Sequence, residues 1–419
     1  MIHSKESAAK LLFVLLVWAT LTVSAPWRWC RTVFEAGLLF AAAGMIWSHR
    51  DQPRRLLNAP LLLLGPAVAG LLQLATGATV SPLDTAEAVL AWVVSFSAAY
   101  TARHTLAHTA LRHRFLSAAA VAGFAGAAVC LVQIPLRGVT VAGFTVPDFD
   151  LYAGPFANRN TYASFAELLL PIVIWKAGSA RQGVWFWWVA ATLVPASVIA
   201  TGSRAGSFLI LCEFGALLLM RIRARMLFPL TGVAVAVMAT GWDTLADRLG
   251  HEDWSSHRRQ VYASAVAMAS ERPWAGHGLG TFSQAYLRFA TFDSGKEMNH
   301  AHNDWLEWAS DGGLGLPLLL AGFLGLTAWF ARRHFWSWGI AFVVAHSLVD
   351  YPLQFPALSG WFWALTGAVF AAAASDRRDP RRRSSKSSKR PSADSGPADG
   401  PPAPESTESS DRSLATAGH

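Results

Sequence analysis

The stretch Asn299-His300-Ala301-His302-Asn303-Asp304-Trp305-Leu306-Glu307 gathers two imidazoles, two side-chain amides and two carboxylates in one short segment. Asn303 or Asp304 suits the cap of a short helix ending at Gly312-Gly313. His302 then stands just ahead of a helix N-terminus, where the dipole draws an anion and disfavours an imidazolium. An imidazole held in that way is suited to take a proton from a hydroxyl. His300, His302 and Asp304 also offer metal ligands, but no second carboxylate and histidine cluster completes such a site, so the metal-free reading is preferred.

Arginines supply the complementary chemistry. Thr201-Gly202-Ser203-Arg204-Ala205-Gly206 joins two apolar runs so tightly that Arg204 must lie at a membrane boundary, where small neighbours let a large headgroup approach. A guanidinium there holds phosphate in a bidentate way, or else snorkels to lipid headgroups. Arg258 and Arg259 fall on a polar helical stretch, with Tyr262 four residues on and on the same face as Arg258. Gly276-His277-Gly278-Leu279-Gly280 follows no strand and reads as a tight turn rather than a nucleotide fingerprint. His346 and Asp350 are four apart in an apolar run, a spacing that fits a mutual hydrogen bond as well as a functional role.

The elements that must position these residues are membrane helices. Of 419 residues, 53% are hydrophobic and only 15% charged, against roughly a quarter charged in soluble domains. The expected fold is all-α and polytopic, with about twelve transmembrane helices. They are expected at 9–25, 33–48, 57–75, 84–102, 115–136, 160–177, 184–201, 206–220, 227–241, 312–331, 336–351 and 356–374. The first is read as a retained anchor rather than a cleaved signal. Cys30, Cys130 and Cys212 are too scattered for a disulfide framework and read as packing residues. The +8 charge does not point to nucleic acid, because alternate loops carry it, and the excess of Lys and Arg in those loops places both termini in the cytoplasm.

One large external loop, about 242–311, separates spans nine and ten; Ser255 or Ser256 is expected to cap a helix there that runs to about Ser270 and stops at Glu271-Arg272-Pro273. Trp242, Trp254 and Trp274 in that loop offer flat faces for sugar rings, or anchors at the membrane interface. The membrane domain is expected to be 1–374. Residues 375–419, with eight Lys and Arg between Arg377 and Arg390 and then Ser, Pro and acidic residues, read as a disordered cytoplasmic tail.

Taken in order, several segments resemble the O-antigen ligase and polysaccharide polymerase superfamily of bacterial glycan-assembly membrane proteins. They are Gly154-Pro-Phe-Ala-Asn-Arg-Asn160, Ser203-Arg204-Ala-Gly206, Arg258 with Tyr262, Pro273-Trp-Ala-Gly-His-Gly-Leu-Gly-Thr-Phe282, Ala301-His-Asn-Asp-Trp-Leu-Glu307 and His346-Ser-Leu-Val-Asp350-Tyr-Pro352. The resemblance spans about 140–360. It implies a metal-independent glycosyltransferase, without a cofactor, at the outer face of the bacterial inner membrane. The donor would be an undecaprenyl-diphosphate-linked glycan, and the acceptor a lipid such as lipid A core, a growing polysaccharide or a protein. By position it implies catalytic roles for His302, Arg204 and Arg258, with Arg259 uncertain by one residue from Arg258. Tyr262 replaces a Trp common in the family. Arg159, Asn160, Arg259, Tyr262, Asn303, His346 and Asp350 are the expected substrate-binding residues. A transporter or flippase for a lipid-linked or anionic substrate is the competing reading, although no internal repeat supports it. A structural partner in an envelope assembly, docked through the tail, is a third.

Overall fold

In a bilayer no water receives backbone N–H and C=O groups, so a long apolar run folds as a helix that satisfies its own backbone. The computed structural model describes residues 2–22, 27–51, 59–136, 138–141, 144–145, 152–220, 232, 253–292, 295 and 297–378. Their order is α1 (Ile2–Thr22), α2 (Arg28–Ser48), a 3₁₀ turn (Ala59–Leu63) leading into α3 (Leu64–Thr76), α4 (Pro82–Thr105) and α5 (Thr109–Leu136). Next come α6 (Arg159–Ser179), α7 (Val184–Ala200) and α8 (Arg204–Met220), then α9 (Asp253–Glu271), α10 (Phe282–Tyr286) and α11 (Asp304–Gly312). The last three are α12 (Gly315–Ala331), α13 (Gly339–His346) and α14 (Pro356–Arg378). Among the described residues the only paired strands are the two-residue β1 (Thr140–Val141) and β2 (Phe144–Thr145), which are antiparallel.

By length and composition, the stretches Arg28–Ser48, Ala59–Thr76, Thr109–Gln133 and Pro356–Asp376 are long and apolar enough to cross a membrane, and Val184–Ala200, Gly315–Ala331 and Phe335–His346 are shorter apolar helices. Large side chains such as Phe40, Phe208 and Leu318 point outward, as lipid-facing positions do. The protein is an all-helical, polytopic membrane protein.

Each expected apolar run coincides with a helix except 227–241, which, apart from Gly232, lies outside the described residues. Several boundaries differ. α1 starts at Ile2 rather than 9, since Glu6 pairs with Lys10 at 3.1 Å and with Arg114 at 3.3 Å and so supports the polar first turns. The loop helix α9 starts at Asp253, ahead of Ser255 and Ser256, which fall within its first turn; its end at Glu271 is as expected. The run expected at 336–351 breaks into a 3₁₀ turn (Phe335–Ser337), the short α13 and a turn over 347–350. α14 runs on to Arg378, past the boundary read from composition, and the tail from 379 lies outside the described residues.

The core is a continuous apolar cluster around Trp361, Trp363, Phe34, Phe165 and Tyr162. Small residues let helices approach closely. A Cβ on Gly367 would meet the Ala99 carbonyl oxygen at 2.1 Å, which seats α14 against α4, and one on Gly339 would meet the Glu167 and Leu168 carbonyl oxygens at 2.5 Å, which seats α13 against α6. Polar contacts mark two ends of the bundle. At one end Glu6 meets Arg114, and His334 lies 3.6 Å from Asp376. At the other, Gln73 at the end of α3 donates to the Ala275 and Asp311 carbonyls at 2.6 and 2.8 Å and accepts from the Leu279 N–H at 2.9 Å. This second end carries α9, α10 and α11 and is called the loop face below.

Candidate active site on the loop face

α11 is a short helix whose start is strongly specified. Asn303 is its cap, with the side-chain oxygen accepting the Leu306 N–H at 3.1 Å. The same amide donates to the Leu348 carbonyl at 2.7 Å, the Asp304 N–H donates to the Ser347 carbonyl at 3.0 Å, and Trp305 Nε1 donates to Ser347 Oγ at 2.8 Å. The segment is thus clamped onto the turn that follows α13. Asp304 Oδ2 accepts the Leu353 N–H and Oδ1 accepts from Gln354, both at 3.1 Å, and burial pushes the Asp304 carboxyl well above its ordinary value.

Between these anchors His302 takes φ 53°, the only non-glycine residue in the left-handed region among those described. Such backbone persists only where the surroundings over-determine it, and it concentrates at functional sites. Tyr262 on α9 donates to the His302 carbonyl at 2.9 Å, and Tyr351 packs edge-on to the His302 ring with centroids 5.0 Å apart. His302 Nδ1 lies 3.5 Å from Asp350 Oδ1, with the histidine side chain 31% exposed and the aspartate 6%. At that distance the two atoms make no hydrogen bond, but the carboxylate stands beside Nδ1, an arrangement in which Nε2 would be the nitrogen open to a proton.

Arg258 reaches the same place. It donates to the Val349 carbonyl, the neighbour of Asp350, and its charge acts on Asp350, Tyr262 and Tyr351. Arg259, one residue on, is exposed. His300 stacks on Tyr351 at 4.3 Å, and its Nδ1 lies 2.9 Å from Glu307, which also accepts the Ala301 N–H at 2.8 Å. Burial alone would lower the pKa of His300, but the Glu307 carboxylate outweighs it and the net shift is upward.

The expected bond between His346 and Asp350 does not form. His346 is fully buried, and its Nδ1 lies 3.0 Å from each carboxylate oxygen of Glu167, a residue of α6 that the sequence reading did not single out. The four-residue spacing presumed a helix continuing through Asp350; the turn after His346 instead swings the aspartate toward His302. A lone Glu in the run Phe165-Ala-Glu167-Leu-Leu was the available signal, since ionisable groups in apolar helices are functional or paired by default.

The other expected residues meet at two helix starts. Asn158 caps α6 by accepting the Asn160 N–H at 2.7 Å, which puts Arg159 and Asn160 in its first turn. Asn160 accepts from Ser203 Oγ at 2.8 Å, and Ser203 Oγ accepts the Gly206 N–H at 3.2 Å, so α8 begins at Arg204 beside the start of α6. Gly206 makes this possible, since a Cβ there would stand 2.4 Å from the Ala163 Cβ. Two helix N-termini thus meet at one corner, each opening on an arginine, and the positive ends of two helix dipoles favour an anion there. Tyr351 links this corner to His302: its side chain meets the Asn158 amide while its ring contacts both His300 and His302.

His300, Asp304 and His302 face different partners, and among the described residues no three His, Cys, Asp or Glu side chains gather where a metal would sit. Gly276, Gly278 and Gly280 all take positive φ, consistent with a tight turn. Trp274 is exposed, Trp242 lies outside the described residues, and Cys212 is exposed while Cys30 and Cys130 are buried.

The loop face of this all-helical membrane protein thus carries His302 beside Asp350, with Arg258 reaching the turn next to them. The family model described as O-Antigen ligase matches residues 188–321, about a third of the chain, and supports the O-antigen ligase and polymerase superfamily. The matched stretch holds Arg204, Arg258, Tyr262 and His302; Arg159, Asn160, His346 and Asp350 lie outside it. No curated protein matches the chain.

Proposed function

We propose that this protein transfers a glycan from undecaprenyl diphosphate to an acceptor hydroxyl at the outer face of the bacterial inner membrane, as a ligase or polymerase. In this reading the bundle crosses the bilayer twelve times with both termini and the 375–419 tail in the cytoplasm, and the loop face is outside. The observation that carries it is the convergence of Asp350, Arg258 and Tyr262 on His302 within a chain matching the O-antigen ligase family.

The acceptor oxygen attacks the anomeric carbon as the bond from that carbon to the diphosphate oxygen breaks, and undecaprenyl diphosphate leaves with the electron pair. The acceptor proton passes to Nε2 of His302, while Asp350 holds Nδ1–H and stabilises the imidazolium that forms. Attack from the side opposite the leaving group inverts the anomeric centre. The diphosphate is already a good leaving group, so the main requirement is charge neutralisation, assigned to Arg204 and Arg258 with Arg159 beside them. Asn160, Arg259, Tyr262 and Asn303 are assigned to positioning, and no metal takes part.

The transporter reading gains one observation, the buried Glu167 and His346 pair, since carboxylate and imidazole within a bundle also build proton relays. Purified protein in nanodiscs, given undecaprenyl-diphosphate glycan and an acceptor without ATP or divalent cation, separates the two. The expected result is glycosylated acceptor and free undecaprenyl diphosphate; lipid movement across the bilayer without product would refute the transferase.

A further inference from the structure

Behind α11, on the loop face, lies a cavity of about 150 Å³, walled by α2, α4, α11 and α14 and roomy beside the ~10–15 Å³ a single water needs. Its apolar wall is indole: Trp92 is half-buried, with Trp308 and Trp363 packed at 6.0 and 5.9 Å. Its polar wall converges from separate elements: Ser95, Ser359, Gln354, Asp311, and Arg31 with Glu35. A second cavity of about 360 Å³ shares Arg31, Phe34 and Pro356 with the first and extends it toward Trp27 and Glu87.

One atom in this lining is unexplained. Asp311 is 4% exposed, its Oδ2 accepts the Gly280 N–H at 2.9 Å, and its Oδ1 is buried with no hydrogen-bond partner. Leaving a buried acceptor unpaired is costly, and a donor brought by a ligand removes that cost. The lining also limits what the ligand is. Glu35 repels a phosphate, and it already holds Arg31 at 2.6 Å. An isoprenoid would still leave Asp311 Oδ1 without a partner. A neutral ring with hydroxyls at its edge and C–H groups on its face meets both walls, with the indole below and the acceptors at the rim.

We infer that this cavity is a subsite for a neutral sugar ring. Its place supports the assignment: Gln354 lines the cavity and also donates to Asp304 at 3.1 Å, the first residue of the helix whose last turn carries Asp311. At ~1.5 Å per residue, Asp311 lies about 10 Å along α11 from the end at which His302 sits, a reach suited to a ring remote from the reacting one. That the ring belongs to the glycan being transferred or extended rests on the transfer reading above; that the cavity takes a sugar does not.

The test uses the full chain in nanodiscs, with methyl glycosides of glucose, galactose, mannose and N-acetylglucosamine as probes and saturation-transfer NMR as the readout. At least one glycoside is expected to bind saturably, with Asp311→Asn and Trp92→Ala each weakening it about tenfold. Trp92→Phe serves as the second variant if the alanine chain does not fold, and is expected to weaken binding in the same direction. Arg114→Ala, at the other end of the bundle, is expected to bind as the native chain does. Binding by no glycoside, binding unchanged in Asp311→Asn and Trp92→Phe, or displacement by geranylgeraniol rather than by sugar would overturn the subsite. If glycosides bind while the chain transfers no glycan, the transfer reading falls and the subsite stands; transfer without glycoside binding gives the reverse.

Discussion

Two histidines of this chain face carboxylates, and their surroundings separate their roles. His346 is closed on every side, with both oxygens of Glu167 at 3.0 Å from one ring nitrogen, on a regular helix. His302 stands on left-handed backbone, 3.5 Å from a single oxygen of Asp350, with its side chain 31% exposed. A buried pair of this kind gives specificity of packing and is closed off from solvent, although the other ring nitrogen of His346 is left without a hydrogen-bond partner. A pair that is strained, loose and half open has a free nitrogen and a carboxylate ready to steady the charge it gains.

The sharpest way to break this contrast is to remove each imidazole. His302→Ala is expected to lower glycan transfer by about 10²–10⁴ while leaving the thermal unfolding midpoint near that of the native chain, because the clamp on α11 is made by Asn303, Asp304 and Trp305. Transfer at the native rate in purified His302→Ala protein would sink the assignment. Next in size, Arg204→Ala and Arg258→Ala are each expected to cost about 10²–10³ in turnover, with lysine restoring part of it through charge without the planar fork. Equal turnover of the alanine and lysine chains would count against a role in holding phosphate.

For the interior pair the readout is stability. Glu167→Ala or His346→Ala leaves one buried polar partner alone and is expected to cost about 3–5 kcal/mol in unfolding, whereas the double replacement Glu167→Leu with His346→Leu is expected to cost less than either. Denaturant unfolding in detergent micelles measures all three. A native-like midpoint in the single variants, joined to lost transfer, would move His346 into the catalytic machinery.

What could be read in advance follows the same division. Local signals were legible: apolar runs located the helices, Asn303 announced the cap of α11, and the three glycines between Gly276 and Gly280 announced a turn. Contacts between distant segments were not. The partner of His346 lies 179 residues away, and the Asp350 carboxylate reaches His302 only because Gly339 seats α13 against α6 and the chain breaks into a turn after His346. Spacing along one helix carries no information about such a break. The sugar-sized cavity was hidden for the same reason: Trp92, Trp308 and Trp363 come from three helices and look, one at a time, like interface anchors.

The smallest effect tests a third histidine, His300, which lies between the two extremes: paired with Glu307 at 2.9 Å yet one third exposed. Its folded pKa lies above the ordinary 6.5, despite burial, because of the Glu307 carboxylate. A raised folded value means that protonation favours the native state, so this contribution is complete below pH 6.5 and fades as pH climbs through the raised value. His277, lowered by burial, acts in the opposite direction and below 6.5, so it does not mask the window above. The native chain is therefore expected to lose a small part of its melting temperature above pH 6.5 that His300→Gln does not lose. Parallel melting curves for the two chains across that window would show that Glu307 leaves His300 uncharged, and that its role is to stack on Tyr351 beside His302.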